Sequence, residues 1–127
     1  MEFTFNNKSS RDFNIKIKKS NHLSIPRRKL EFIEVQGRTD NLIVDEGSRE
    51  MLDIEIEAYI DCRNEDTYSY ALKLDEWLNS SNGYQDLMFD DGAELKAIFV
   101  GQIDFNAIVE NFNEILLQFK AYREGDL

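Results

Sequence analysis

Cysteine, histidine and proline each occur once in this 127-residue sequence, as Cys62, His22 and Pro26. A lone cysteine closes no internal disulfide, so oxidative stapling is not part of the design. A single histidine excludes a His-rich metal centre, and a Ser-His-Asp triad would have to be built around His22 alone. No apolar run approaches the ~20 residues of a membrane span. The opening Met1-Glu2-Phe3-Thr4-Phe5 lacks the basic-then-apolar order of a signal peptide. Phosphate-cradling glycine loops, a Walker lysine and a dinucleotide fingerprint are all missing. With six glycines and one proline, the turns fall to Asn and Asp.

Fifteen aromatic residues and 42% hydrophobic residues mark a chain that folds around a core. The length favours one domain spanning 1–127, large enough to need no metal staple. Net charge is −10 but unevenly spread. Residues 1–38 hold nine Lys/Arg against four Asp/Glu, and residues 39–127 hold six against twenty-one. The acidic balance excludes nucleic acid as a partner, because phosphates need a basic surface. A basic segment on an acidic body also suits head-to-tail attraction between copies, beside the plainer reading of solvated charge.

Period-two alternation dominates the pattern. Phe13, Ile15 and Ile17 alternate with Asn14, Lys16 and Lys18. The run from Leu52 to Asp61 sets Leu52, Ile54, Ile56, Ala58 and Ile60 against Asp53, Glu55, Glu57, Tyr59 and Asp61. Ile115, Leu117, Phe119 and Ala121 alternate with Glu114, Leu116, Gln118 and Lys120. Strands with one buried and one wet face belong to antiparallel sheets. Weaker strands are predicted over Glu2–Asn6, Glu31–Gln36, Asp86–Phe89 and Glu94–Ile103, the last two joined by a tight Asp90-Asp91-Gly92 turn. One helix of about 12 residues is predicted after the capping segment Asn64-Glu65-Asp66-Thr67, carrying Ala71, Leu74, Trp77 and Leu78 and stopping at Asn79–Gly83. The expected fold is therefore mainly β, an antiparallel β-sandwich with one helix.

The stretch from Ser20 to Gly47 stands apart. Two short apolar runs, Leu30–Gln36 and Leu42–Val44, flank the turn Gly37-Arg38-Thr39-Asp40-Asn41. The pattern fits a long hairpin with more apolar side chains than a solvated loop needs. Either it enters the core or a second surface covers it.

Residues capable of chemistry are sparse. His22, among Ser20, Asn21 and Ser24, reads as a surface turn histidine, and Cys62 as a structural cysteine despite its neighbour Arg63. Asp53, Glu55 and Glu57 form a row on one strand face at roughly 7 Å steps, with Lys16 and Lys18 as the expected partners of Glu55 and Glu57. Such a row, or Asp90-Asp91, has the residue types for glycoside hydrolysis or calcium binding, but a solvated outer face explains it more simply. Asn7-Lys8-Ser9 and Asn79-Ser80-Ser81 match glycosylation acceptors by chance.

The order of elements resembles a known family. The carriers are Phe3–Phe5, a strand starting at Ser10–Phe13, Pro26-Arg27-Arg28, the turn Val35-Gln36-Gly37-Arg38-Thr39-Asp40, the long alternating strand, the helix ending Glu76-Trp77-Leu78, and the strands Leu87–Asp90 and Leu116–Tyr122. Together they resemble the N-terminal domain of distal tail proteins of siphophages and of related prophage tail components. That resemblance implies a virion structural protein made in the bacterial host cytoplasm and located at the tail tip. It implies a homohexameric ring joining the tail tube to tail-tip or baseplate proteins, with a protruding hairpin arm that reaches the neighbouring subunit. The arm corresponds to about residues 24–47, and its contact residues are expected to be Pro26, Arg27, Arg28, Leu30, Phe32, Ile33, Val35, Arg38, Leu42 and Val44. No catalytic residue, cofactor, metal, nucleic acid or membrane insertion is implied. Family members usually continue into a galectin-like second domain. This sequence ends at Leu127, and no sugar-binding role transfers from that domain. Two other readings are a small β-sandwich module binding carbohydrate or another ligand through Tyr59, Tyr84 or Tyr122, and a carboxylate hydrolase built on Asp53, Glu55 or Asp90-Asp91.

Overall fold

The computed structural model describes residues 1–63 and 65–124. Its strands are β1 (Phe3–Phe5), β2 (Lys8–Ser9), β3 (Ile15–Ser20), β4 (Arg28–Ile33), β5 (Leu42–Arg49), β6 (Leu52–Asp61), β7 (Gln85–Phe89), β8 (Glu94–Val100), β9 (Asn106–Val109) and β10 (Phe112–Tyr122), with one helix, α1 (Thr67–Asn79). Eight strands form one antiparallel sheet in the order β2-β1-β7-β8-β10-β6-β3, with β9 beside β10. Strands β4 and β5 form a separate two-stranded sheet. The large sheet curls until its flanks face each other, giving the expected sandwich-like, mainly β architecture.

The alternation produces this directly. Along β6, Leu52, Ile54, Ile56, Ala58 and Ile60 are all buried, and the intervening side chains are exposed or half-buried. Strand β10 pairs with β6 through ten successive residues, Phe112↔Asp61 to Ala121↔Leu52. That pairing sets Ile115, Leu117, Phe119 and Ala121 on the same inner face. Burying five such side chains on β6 and four on β10 outweighs any preference of the outer carboxylates for a different register.

Helix α1 closes the curl. Asp66 caps it, accepting a hydrogen bond from the Ser69 amide at 2.7 Å, and Asn64 of the predicted cap lies outside the described residues. Tyr70, Leu74, Trp77 and Leu78 form its buried stripe at helical spacing. Trp77 stacks on Phe13 at 4.3 Å between ring centroids and donates its Nε1–H to the Phe5 carbonyl at 2.7 Å.

Three local expectations change. Ser10–Phe13 is a 3-10 turn and not the start of a strand, because Ser9 and Asp12 cap it reciprocally and Asn14 adopts φ +55° at its end. Strands β2 and β9 were not foreseen, being two and four residues long. The partners of the lysines also differ. A bulge at Lys18 puts Lys16 opposite Tyr59 and Lys19 opposite Glu57. Lys18 pairs instead with Glu114 at 3.1 Å, and Lys120 holds Asp53 at 2.5 Å.

Candidate functional site

The hairpin β4–β5 is the feature that sequence patterning left open, and the structure excludes a place in the core. The register pairs Leu30 with Asp45, Glu31 with Val44, Phe32 with Ile43 and Ile33 with Leu42. Directly opposed residues share a face. Leu30, Phe32 and Ile43 therefore line one face, and Ile33, Leu42 and Val44 the other. Both faces lie in solvent: Phe32 is 60% exposed, Ile43 59%, Leu42 46% and Ile33 39%. Ile43, part of the apolar run Leu42–Val44 but not among the expected contact residues, is the exposed partner of Phe32.

The turn is built by Gly37, whose φ of +85° suits the third position of a type II turn. The Arg38 amide donates to the Val35 carbonyl at 3.1 Å, and the Arg38 guanidinium grips Asp40 at 2.9 Å. At the base, Arg28 lies 3.6 Å from Asp45. Arg28 and Arg38 are thus each ion-paired, and Arg27 and Lys29 are exposed at the base of the hairpin. Pro26 is buried within the chain, and its carbonyl accepts from Arg49 at 3.1 Å. It anchors the base of the hairpin; of the other nine expected contact residues Leu30 is half-buried and the rest are exposed.

His22 sits just before the hairpin and departs from expectation. It is 5% exposed, not a surface turn residue. Its ring stacks on Phe89 at 3.7 Å, Nε2–H donates to Asp91 at 2.7 Å, and Nδ1 lies 2.8 Å from the Ser20 hydroxyl. This latch ties the approach to β4 onto the β7–β8 turn. The hydrogen bond from His22, with that from the Ala93 amide, holds the Asp91 carboxyl below its ordinary range.

The other candidate groups are engaged in structure. Asp90 accepts from the Glu2 amide at 3.1 Å, and Asp53 is ion-paired to Lys120. Asn21 bonds both backbone groups of Glu55. Cys62 is buried, and burial pushes its thiol pKa up. The three tyrosines do not make one platform: Tyr84 meets Tyr122 edge-on at 5.1 Å, and Tyr59 stacks on Phe112 at 5.8 Å. Among the described residues no group of three or more His, Cys, Asp or Glu is arranged to hold a metal ion, and no helix is long and apolar enough to cross a membrane.

No protein-family model matches the chain, and no curated protein matches it. The fold is similar to the crystal structure of the SPP1 Dit (gp 19.1) protein, described as a paradigm of the hub adsorption apparatus in Gram-positive-infecting phages. The TM-score is 0.75 at 12% sequence identity, over 98% of this chain and 50% of that one. The chain thus spans half the length of its structural neighbour. At this identity the likeness is one of fold, and the fold expected from the resemblance to distal tail proteins is the one observed.

Proposed function

We propose that this chain is a structural component of a phage or prophage tail tip that associates with copies of itself through the β4–β5 hairpin. The carrying observation is the hairpin itself. A two-stranded sheet with apolar side chains on both faces, free of the core, is marginal in water and calls for a covering surface. The fold likeness to a phage hub protein supports placing that surface in a tail assembly. The family resemblance supplies the finer content: a ring of six copies that joins the tail tube to tail-tip or baseplate proteins, as part of the virion. The role is not catalytic. In support, His22 and Asp91 are tied to each other and Asp53 to Lys120.

The test is native mass spectrometry and light scattering across a concentration series. The intact chain is expected to reach six copies. A chain with Leu30, Phe32, Ile33 and Val35 changed to Ser is expected to stay monomeric with an unchanged circular dichroism spectrum. An intact chain that remains monomeric at every concentration sinks the reading.

A further inference from the structure

Asn82 is followed by Gly83, and no other asparagine of the chain has glycine as its C-terminal neighbour. The pair lies exposed in the link between α1, ending at Asn79, and β7, beginning at Gln85. Among the described residues the Gly83 amide donates to no acceptor and the Asn82 carboxamide has no partner. The Ser81 hydroxyl reaches the Gly83 carbonyl at a long 3.4 Å. Open space surrounds Gly83: a methyl group on its Cα would meet no atom within 4 Å. A glycine nitrogen is the least hindered nucleophile that the backbone offers, because no Cβ blocks its approach. Two similar sites are restrained where this one is free. At Asp91-Gly92 the Gly92 amide donates to the Phe89 carbonyl at 3.1 Å, and the Asp91 carboxylate accepts from His22 at 2.7 Å and from the Ala93 amide at 3.1 Å. Asn79, before the small Ser80, ends α1 with its carboxamide donating to Asp75 at 2.8 Å.

We propose that Asn82 is a site of spontaneous modification, where the backbone closes a succinimide ring that water then opens to aspartate or isoaspartate. The Gly83 nitrogen bonds to Asn82 Cγ as the Cγ–Nδ2 bond breaks, and the side-chain nitrogen leaves as ammonia with the amide proton. Water adds to one of the two imide carbonyls. One opening leaves Asp at this position. The other routes the main chain through the side-chain carbons and lengthens it by an atom. Either product adds a negative charge to a chain already at −10. The change falls beside Tyr84, whose ring meets Tyr122 at 5.1 Å and whose hydroxyl lies 3.5 Å from the Met51 sulfur. The buried stripe of α1 ends at Leu78, before the link, so the fold absorbs the modification. The inference is independent of the tail-tip reading.

The test is incubation of the full chain in mildly alkaline buffer at physiological temperature, followed by peptide mapping with mass spectrometry. Isoaspartate is read separately, by methyl transfer from S-adenosylmethionine with an isoaspartyl methyltransferase. The peptide holding Asn82 is expected to convert first, exchanging an NH2 for an OH and splitting into two isomers, one of them a methyl acceptor. Peptides holding Asn79 and Asp91-Gly92 are expected to stay unchanged over the same period, and to react only once denaturant removes their restraints. Gly83→Ala has room in the fold but crowds the attacking nitrogen. It is expected to slow conversion roughly tenfold or more, as a barrier raised by about 1.4 kcal/mol would. The parent and Gly83→Ala should share one dichroism spectrum. An Asn82 that persists in the folded chain while the denatured chain converts would overturn the proposal, because the turn would then protect it. Earlier conversion at Asn79 or Asp91 would do the same. Conversion of Gly83→Ala at the parent's rate would remove the Gly83 nitrogen as the nucleophile, and the proposal with it.

Discussion

Phe5 on β1 and Phe119 on β10 bring their ring centroids to 5.0 Å, although β7 and β8 lie between their strands in the sheet. Strands in a sheet are spaced about 4.8 Å apart, so three steps along a flat sheet would separate them by about 14 Å. The sheet therefore curls through this contact. Phe3, Phe89 and Trp77 fill the same interior, and the side chains on the inner face carry the stability of the molecule.

The two faces of β6 should respond differently to truncation. Ile56 is fully buried and Glu55 is exposed. Ile56→Ala is expected to cost about 2–5 kcal/mol, and Glu55→Ala under about 1 kcal/mol. Urea melts of the two variants check the ranking, and a reversed order would mean that β6 is registered one residue off.

The His22 latch should behave as a unit. His22→Ala removes a buried ring stacked on Phe89 and is expected to cost about 2–5 kcal/mol, like other large-to-small changes in a core. Asp91→Ala is expected to cost about 1–3 kcal/mol by leaving the ring nitrogen without its partner. The double variant should lose less than the sum, by about 0.5 kcal/mol or more, as coupled neighbours do. Additive losses in a double-mutant cycle would show that the 2.7 Å contact carries no energy of its own.

Acid stability should contain a contribution from Asp61. The Arg63 side chain and amide hydrogen-bond its carboxylate and lower its pKa from 3.8 to about 2. A pKa depressed in the folded state stabilises the fold above the unfolded value and loses that effect as pH falls through the folded one. The contribution should thus be complete above pH 3.8 and fade toward pH 2. Asp61→Asn should flatten stability against pH in that window, and equal slopes for parent and variant would refute it.

Cys62 should be silent toward thiol reagents in the folded chain. It is 0% exposed and its thiol pKa is raised by burial, so the reactive thiolate is scarce and inaccessible. Ellman's reagent is expected to react with one thiol per chain only after denaturant is added. Prompt labelling of the native protein would place Cys62 outside the core.

The parts of the fold legible in the sequence share one property: a side-chain pattern enforced by burial. Strands β6 and β10 and helix α1 announce themselves because Ile54, Ile115 and Leu74 recur at the spacing of their element. Strand β9 does not, because none of its residues is buried and nothing imposes alternation. The hairpin was legible as a hairpin, but whether its apolar residues were buried depends on distant elements and not on their own spacing. His22 was misread for the same reason. Its neighbours Ser20, Asn21 and Ser24 are polar, and its burial comes from Phe89 and from Asp91, 69 positions away. The acidic row on β6 was read correctly as an outer face, yet its lysine partners were not, since the bulge at Lys18 is a property of the strand pairing.

Trp77 is the only tryptophan, 2% exposed and held between Phe13 and Phe3 under α1. The intrinsic fluorescence of this protein is therefore a single-site signal of whether the helix is seated on the curled sheet. Its emission should be blue-shifted in the native chain and move to the red only when that seat is lost. The proposed capture of the hairpin by a neighbour engages β4 and β5, which contribute none of the ring contacts of Trp77, and should leave the spectrum unchanged, so folding and assembly can be followed in one cuvette as optically separate events, one by colour and the other by scattered intensity.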